Sequence, residues 1–291
     1  MKMDQLLHEA RAYQPLAVKN LAQELSPLAE RALQPSATKT CEKHGPYVAR
    51  SLWAGSTHWT GCRACEGDAR EAMQKREAEK VAEHTRSKKQ AALAHRLRVS
   101  GLEGRMLDST FENFKISKPG QDGALSICKL FVEEFSPDAG GGLWLMGPPG
   151  TGKTHLGSAM VSHLIREKEK TACIFSAREI IRMLRVSWRF KEADRSGFEE
   201  WTPRTEEEIL DHLGMAPLLV LDEVGASFGS EAEKVQLFDI VDKRYRLRRP
   251  TVLLSNLTAR GIKDALGDRT YDRLRENTQA VQCHWPSHRG G

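Results

Sequence analysis

Residues 147–154 read Gly-Pro-Pro-Gly-Thr-Gly-Lys-Thr, the G-x-x-x-x-G-K-T pattern of a phosphate-binding loop. An apolar run, Leu143 to Met146, precedes the loop, and helical spacing begins near Lys153. In such a loop backbone N–H groups close around a β-phosphate, Lys153 reaches the β- and γ-phosphates, and the Thr154 hydroxyl binds Mg²⁺. The helix N-terminus adds the positive end of its dipole. The order strand, loop, helix therefore predicts a nucleotide site.

A second motif supplies acids. The apolar run Leu218 to Leu221 ends in Asp222 and Glu223, and Asp222 lies sixty-nine residues after Lys153. An isolated Asp-Glu pair after a strand is usually a surface turn, but beside a phosphate loop it occupies the place of a Walker B motif. Asp222 is then expected to hold Mg²⁺, directly or through water, and Glu223 to orient and deprotonate the attacking water. The predicted nucleotide-binding residues are Gly147, Pro148, Pro149, Gly150, Thr151, Gly152, Lys153, Thr154, His155 and Asp222.

A third apolar run, Thr251 to Ser255, is followed by Asn256. By itself an asparagine after a strand is a turn residue. If this strand lies between those carrying the two motifs, Asn256 faces the attacking water. It is therefore a candidate sensor of the γ-phosphate.

Beyond residue 101, strand-like apolar runs alternate with amphipathic stretches. This alternation predicts an α/β fold, a five-stranded parallel sheet with helices on both faces. The predicted strands are Leu143–Met146, Ala172–Ser176, Leu218–Leu221, Thr251–Ser255 and Ala280–His284. The helical stretches contain Leu156–Ile165, Glu179–Trp188, Ala232–Tyr245 and Tyr271–Arg275.

Four potential metal ligands come in two pairs. Cys41 and His44 form a C-x2-H pair and, seventeen intervening residues later, Cys62 and Cys65 form a C-x2-C pair. Two such knuckles bring four ligands into a tetrahedron around zinc. The pattern predicts structural zinc, since no position remains for water. His58 is an alternative fourth ligand, and His44 could instead be an ordinary loop histidine.

Composition excludes some classes of protein. No apolar run approaches the roughly 18 residues of a membrane span, and residues 1–10 lack the apolar core of a signal peptide. We expect a cytoplasmic protein without a membrane partner. Cys128, Cys173 and Cys283 stand singly in apolar stretches and are expected to be buried core thiols. A net charge of +5 permits nucleic-acid binding without requiring it.

Four segments together resemble the DnaC/IstB group of AAA+ ATPases, which includes bacterial and phage loaders of the replicative helicase. They are residues 147–156, 218–225, 253–258 and 266–274. The resemblance covers about residues 101 to 285, and Thr110 to Phe114 resembles the segment before the ATPase core. It implies an AAA+ P-loop core with no C-terminal lid.

By position in that group, Arg273 matches the arginine finger that reaches a neighbouring subunit's ATP, with Arg269 a second candidate. An arginine supplied in trans stabilises transition-state charge and links hydrolysis to self-association. The simpler interpretation of each is a surface arginine on a helix.

A stripe of arginines recurs at helical spacings of four, three and four, namely Arg178, Arg182, Arg185 and Arg189. In the resembled group the corresponding helices track single-stranded DNA, for which cations contact phosphates and aromatic rings stack on bases. Trp188, Phe190 and Phe198 are the candidate stacking residues. Residues 243–249 form a second, less specific basic run. A charged stripe is otherwise a solvated face.

The expected organisation has three parts. Residues 1–65 form an α-helical and zinc-binding N-terminal domain, with short helices over about the first forty residues. Residues 66–100, rich in Ala, Glu, Lys and Arg, form a charged helical linker. Residues 101–291 form the AAA+ ATPase domain. The N-terminal domain is the expected contact for the helicase, although zinc with basic residues could instead touch DNA.

Together these features predict an ATP- and Mg²⁺-dependent loader of a DnaB-type replicative helicase onto single-stranded DNA, with Zn²⁺ in its N-terminal domain. Two alternatives remain open. One is a transposition accessory ATPase, which would organise target DNA. The other is a nucleotide-switched adaptor with negligible turnover. A small-molecule P-loop kinase would leave Asn256, Arg273 and the zinc ligands without a role.

Overall fold

The computed structural model describes residues 35–51, 57–187, 205–225 and 231–288. The helices expected before residue 35, and the expected DNA contacts of Arg189, Trp188, Phe190 and Phe198, lie outside these ranges. The described chain divides into two compact units, one ending at Arg86 and one beginning at Ser87.

The described part of the first unit contains a β-hairpin. Strand β1, Ser36–Cys41, pairs antiparallel with β2, Gly45–Arg50, so that Cys41 lies opposite Gly45. Gly45 has a φ of +76°, a left-handed conformation that glycine adopts without steric cost in a tight turn. The expectation that helices extend to about residue 40 was wrong for this segment. Its backbone hydrogen bonds go to β2 across the turn.

Helix α1, Arg63–Arg98, runs through the boundary between the two units. It confirms the predicted charged helix and begins three residues before the predicted Glu66. None of its residues is buried, as predicted for a solvated helix, but Leu93 and Leu97 near its end pack against the core of the second unit. No helix within the described ranges is long and apolar enough to span a membrane.

The second unit is an α/β domain. A single turn of 3-10 helix, Gly104–Met106, precedes the sheet. The strands are β3 Gly142–Met146, β4 Ala172–Ser176, β5 Leu218–Asp222, β6 Thr251–Ser255 and β7 Thr278–Gln282. The helices are α2 Gln121–Glu133, α3 Lys153–Arg166, α4 Ala177–Ser187, α5 Glu206–Met215, α6 Glu231–Arg246, α7 Ala259–Leu266 and α8 Asp268–Arg275.

All five strands are parallel, in the order β4-β5-β6-β3-β7. This confirms the predicted five-stranded sheet. It also places β6 between β5 and β3, as the interpretation of Asn256 required. Strand β7 lies two residues earlier than predicted, because Thr278 pairs with Gly142 at the start of β3.

Both faces of the sheet are buried, as expected for parallel strands covered by helices. Successive residues of β3 enter different core clusters: Leu143 and Leu145 pack with α2 and α3, while Trp144 and Met146 pack on the opposite face. The three single thiols are core residues, as predicted. Burial raises the pKa of Cys128 and Cys173 to about 12 and that of Cys283 to about 11.

Candidate nucleotide and metal sites

A cleft of about 430 Å³ opens at the carboxyl ends of the strands, the usual place for ligands in an open α/β sheet. It brings together most of the predicted nucleotide-site residues from the phosphate loop, β5 and β6. Its lining includes Pro149, Gly150, Thr151, Gly152, Lys153, Thr154, His155, Asp222, Glu223 and Asn256. Gly147 and Pro148 are connected to the cleft through Lys153, because their carbonyls accept hydrogen bonds from its ammonium.

The phosphate loop is tightly wound. Gly152 has a φ of +89°, and a Cβ there would lie 2.8 Å from the Phe114 ring, so both conformation and space require glycine. Lys153 begins α3 and is only 7% exposed. Its ammonium donates to the carbonyls of Gly147 and Pro148, both at 2.8 Å. A nearly buried cation is thus held inside the loop that the motif assigns to phosphate.

Thr154 and Asp222, the predicted magnesium ligands, are in direct contact. The Thr154 hydroxyl donates to Asp222 Oδ2 at 2.8 Å. Two ligands at adjacent corners of an octahedron with bonds of about 2.1 Å lie about 3 Å apart, so this pair fits Mg²⁺. Burial raises the pKa of Asp222, and hydrogen bonds from Thr154 and the Glu223 N–H oppose that rise.

Glu223 adopts an unusual backbone conformation. Its φ is +53°, in the left-handed region that residues other than glycine rarely occupy. The Glu223 N–H donates to Asp222 Oδ1 at 2.7 Å, and the next N–H, of Val224, donates to Leu254 O at 3.2 Å. These bonds hold the strained turn, which leaves Glu223 exposed at the cleft with Asn256. Strain of this kind concentrates at functional sites.

Five further polar residues that the nucleotide-binding motifs did not single out line the cleft: Arg105, Asn113, Lys115, Gln121 and His288. Asn113 belongs to the segment Thr110 to Phe114 that carried part of the resemblance. His155 anchors this segment, since its Nε2 donates to Thr110 O at 2.8 Å and its ring lies 5.4 Å from that of Phe114. No sequence pattern identifies Arg105 or His288.

Arg273 and Arg269 lie on α8, and neither is among the described residues that line the cleft of their own chain. Arg273 Nη2 donates to Asp242 Oδ1 at 2.7 Å, and the guanidinium lies 4.5 Å from the Phe238 ring centroid. Arg269 is exposed nearby. Helix α6 therefore holds Arg273 in a defined orientation, while its own nucleotide cleft lies elsewhere.

The arginine stripe on α4 is exposed at its three described positions, Arg178, Arg182 and Arg185, and Arg185 pairs with Glu233 of α6. The second basic run, residues 243–249, is not uniformly accessible, because one of its arginines is buried. Arg244 is 1% exposed and fully engaged with neighbouring polar groups, so it is a core residue. A run of charged letters did not reveal this burial.

The four predicted zinc ligands converge in the first unit. Their ligand atoms all lie within 4.8 Å of one another, and His58 lies outside this cluster. Cys65 Sγ is 3.4 Å from Cys41 Sγ and 3.3 Å from His44 Nδ1, and Cys62 Sγ is 3.8 Å from that same nitrogen. Tetrahedral zinc with bonds of about 2.0–2.3 Å has ligand separations of about 3.3–3.8 Å, so the cluster fits that ion.

A neighbouring carboxylate orients the histidine of this cluster. His44 turns Nδ1 towards the thiols and Nε2 towards Asp68 Oδ2, 3.2 Å away, and Asp68 also pairs with Lys43. A ligating histidine commonly donates its second N–H to a carboxylate in this way. Hydrogen bonds from the backbone of His44 and Lys43 lower the pKa of Cys41 to about 6, which favours the metal-binding thiolate. The sequence patterns did not identify Asp68.

Comparison with known proteins agrees with this geometry. The model of a family described as IstB-like ATP binding protein matches residues 66–290. The replicative helicase loader DnaC of Buchnera aphidicola subsp. Schizaphis graminum is 35% identical over 191 residues, which are 65% of this chain and 73% of that protein. DnaC of Escherichia coli strain K12 is 34% identical over 191 residues, with the same 65% and 73% coverage.

Among solved structures, the crystal structure of the DnaC helicase loader superposes with a TM-score of 0.53 at 22% identity. The match covers 62% of this chain and 99% of that one, and it shows a shared fold. The match of the family model over most of the chain, together with the assembled phosphate loop and Walker B acids, leads to one conclusion. This chain belongs to the IstB-like family of ATP-binding proteins and is an AAA+ ATPase.

Proposed function

We propose that this protein is an ATP-dependent loader that places a replicative, DnaB-type helicase on single-stranded DNA when replication begins. The observation that carries the proposal is the cleft in which Thr154, Asp222, Glu223 and Asn256 meet the phosphate loop. Because the chain is 34–35% identical to proteins named replicative helicase loader DnaC, we assign its ATP site to helicase loading. We place the activity in the cytoplasm, where such a loader would meet replicating DNA.

The cleft suggests how the chain's own residues handle ATP. Amide groups of residues 147–154 and the ammonium of Lys153 bind the phosphates, with Lys153 exchanging the carbonyls of Gly147 and Pro148 for phosphate oxygens. Thr154 and Asp222 hold Mg²⁺, which supplies charge neutralisation at the phosphates. His155 fixes the segment that closes the cleft beside Phe114.

Hydrolysis is assigned to the residues at the strand tips. Glu223 accepts a proton from the attacking water, and Asn256 donates to that water or to the γ-phosphate. Arg273, held by Asp242, reaches the ATP of an adjacent protomer, with Arg269 beside it. Turnover would thereby depend on self-association through the ATP site, and hydrolysis would act as a release step.

The remaining surfaces are assigned to partners. Three exposed arginines of α4, Arg178, Arg182 and Arg185, would contact phosphates of single-stranded DNA, with Arg189 as the fourth member of the stripe. We propose that residues 1–65 contact the helicase, with structural zinc fixing the hairpin to the start of α1. Residues 66–100 would link this region to the ATPase domain of residues 101–291.

Helicase loading tests this function directly. The purified chain is mixed with a DnaB-type helicase, ATP, Mg²⁺ and single-stranded DNA covered by single-strand-binding protein, and helicase-dependent strand separation is measured. Wild type should load the helicase, and Lys153→Ala should not, because its phosphate-binding cation is lost. Lys170→Ala, an exposed lysine after α3, is the matched control and should load normally.

Two results would overturn the proposal. One is wild-type protein that neither binds the helicase nor increases strand separation. If such protein instead bound target DNA, a transposition accessory role would be favoured. The second contradicting result is helicase loading by Lys153→Ala at the wild-type rate, which would show that ATP binding at this cleft is not required.

A further inference from the structure

The segment after β7 crosses directly over the phosphate loop. The Cys283 N–H donates to Met146 O at 2.7 Å. The Trp285 indole N–H donates to Thr151 O at 2.9 Å, and the His288 N–H donates to Gly150 O at 2.9 Å. Three hydrogen bonds thus join residues 283–288 to the loop and to the strand that precedes it.

Packing between the two segments is close. A Cβ on Gly150 would lie 2.0 Å from Ser287 Oγ, and a Cβ on Gly147 would lie 2.2 Å from Cys283 O. Neither position has space for a side chain. Trp285 is only 5% exposed and belongs to the core cluster that also contains α2 and α3 residues. The crossing segment is therefore fixed from beneath by the core while it contacts the loop.

These bonds set the direction of loop N–H groups. A peptide group is planar, and its C=O and N–H point in opposite directions when the bond is trans. Because the carbonyls of Gly150 and Thr151 face the crossing segment, the N–H groups of Thr151 and Gly152 face away from it. Phosphate loops bind their ligand through such N–H groups.

We propose that Trp285 is a positioning residue for ATP: its indole N–H holds the peptide plane after Thr151, so that the loop is set for phosphate before nucleotide arrives. Residues 283–288 thereby couple the end of the sheet to nucleotide binding. This role rests on the proposed binding of ATP at the loop. It adds a residue outside the phosphate-loop and Walker B motifs to the machinery that binds nucleotide.

The test compares two buried tryptophans in the full chain. Trp285→Phe keeps an aromatic ring and removes the indole N–H. Trp144→Phe is the matched control, because Trp144 is 3% exposed and its indole nitrogen has no hydrogen-bond partner among the residues that the structure describes. The equilibrium Kd for Mg·ADP is measured for wild type and both variants, together with the thermal midpoint without nucleotide.

Trp285→Phe should weaken Mg·ADP binding about fivefold, the equivalent of one ordinary hydrogen bond, and Trp144→Phe should stay within about twofold of wild type. Nucleotide should also change tryptophan emission in wild type and in Trp144→Phe, and less in Trp285→Phe. A purely structural role would lower the thermal midpoint and leave the affinity of the folded protein unchanged.

Equal affinity in Trp285→Phe and wild type would overturn the proposal, as would equal weakening in both variants. If wild type itself does not bind Mg·ADP, the proposed nucleotide site fails first, and this role fails with it. Hydrogen exchange of residues 283–288 in the unaltered chain gives a second measurement, independent of any variant. Because coupling is reciprocal, Mg·ADP should slow exchange of the His288 N–H, and unchanged exchange would contradict the coupling.

Discussion

Arg244 offers a sharp test of how the sheet beneath the nucleotide cleft is held together. Its guanidinium donates four hydrogen bonds: to Thr251 Oγ1 at 2.9 Å and to the carbonyls of Leu213, Ala216 and Pro250 at 2.7, 2.8 and 2.5 Å. One side chain of α6 thereby joins the end of α5 to the start of β6. We predict that Arg244→Met destabilises the ATPase domain strongly.

The magnitude follows from the acceptors that would lose their partner. A buried polar group left without a hydrogen bond costs about 1–3 kcal/mol. Burial of the guanidinium is itself unfavourable, and methionine relieves that term, so the low end of the range applies. Four acceptors at about 1 kcal/mol each give a loss of about 4 kcal/mol in the free energy of unfolding. For a domain of about 200 residues this lowers Tm by roughly 8–16 °C.

Thermal and urea unfolding of the full chain measure this loss. Arg246→Met is the control, since Arg246 lies two residues away, its side chain is 71% exposed, and its ion pair with Asp242 spans one helical turn. An exposed pair of this kind is worth about 0.5 kcal/mol or less. DNA affinity, corrected for the folded fraction, should change little in Arg244→Met.

A loss below about 1 kcal/mol in Arg244→Met, or one equal to that of Arg246→Met, would show that the buried guanidinium does not hold α5 and β6 together. Such a result would mean that water or rearranged helices satisfy the three carbonyls. Lower DNA affinity in fully folded Arg244→Met would instead restore the sequence-based role of this residue in the basic run.

Three further predictions concern the other sites. Asp68→Asn should still bind about one zinc per chain, but its zinc affinity should be about 10–100-fold weaker, because His44 loses its orienting carboxylate. Competition with a chelator measures this affinity, and an unchanged value would contradict the role of Asp68. Burial lowers the pKa of His212 in the folded protein. As pH drops, His212 therefore binds a proton in the unfolded chain before it does so in the folded one, and the free energy of unfolding should fall below about pH 6.5. Urea titrations across that range should show this slope in wild type but not in His212→Asn; equal slopes would exclude His212 as its source. Arg273→Ala should lower the ATPase rate by about 10³-fold with Mg·ADP affinity unchanged, and a wild-type rate would rule out a finger at this position.

The sequence predicts the bounds of a strand best where the strand is buried on both faces of the sheet. Thr251–Ser255 is an apolar run whose bounds follow directly from the sequence, because a central parallel strand buried on both faces has no solvent-facing alternation. The bounds of Ala172–Ser176 were also predicted correctly although β4 lies at one edge of the sheet, and its first three residues are buried. For β7, at the other edge of the sheet, the predicted strand began two residues too late in the sequence. Its exposed Gln279 and Ala280 carry little hydrophobic signal, and its register depends on pairing with β3.

Three helices of the α/β unit, α2, α5 and α7, were not predicted. For α5 a signal existed: Thr205 and Glu208 form a capping box, with reciprocal side-chain to backbone bonds at 3.1 and 3.2 Å. For α7 the Thr258 side chain accepts from the Gly261 N–H, a cap that the sequence also contains. Both helices are short, so tertiary packing contributes much of their stability.

The site was more predictable than its surroundings. The motifs predicted Thr154 and Asp222 as ligands of the same Mg²⁺ ion, and the structure places their oxygens in contact. By contrast, the contacts of Asp68 with His44 and of Trp285 with Thr151 join residues that are distant in sequence. No local pattern encodes such contacts, since they depend on how hairpin, helix and strand ends meet in the fold.

In the proposed mechanism, ATP is hydrolysed at the cleft where the phosphate loop meets the acids of β5. The decisive experiment measures turnover and Mg·ATP affinity of Glu223→Gln beside wild type. This variant should bind Mg·ATP with wild-type affinity and hydrolyse it at a rate reduced by at least about 10²-fold, since the group that accepts the water proton is gone. Equal rates of hydrolysis in the two proteins would contradict it.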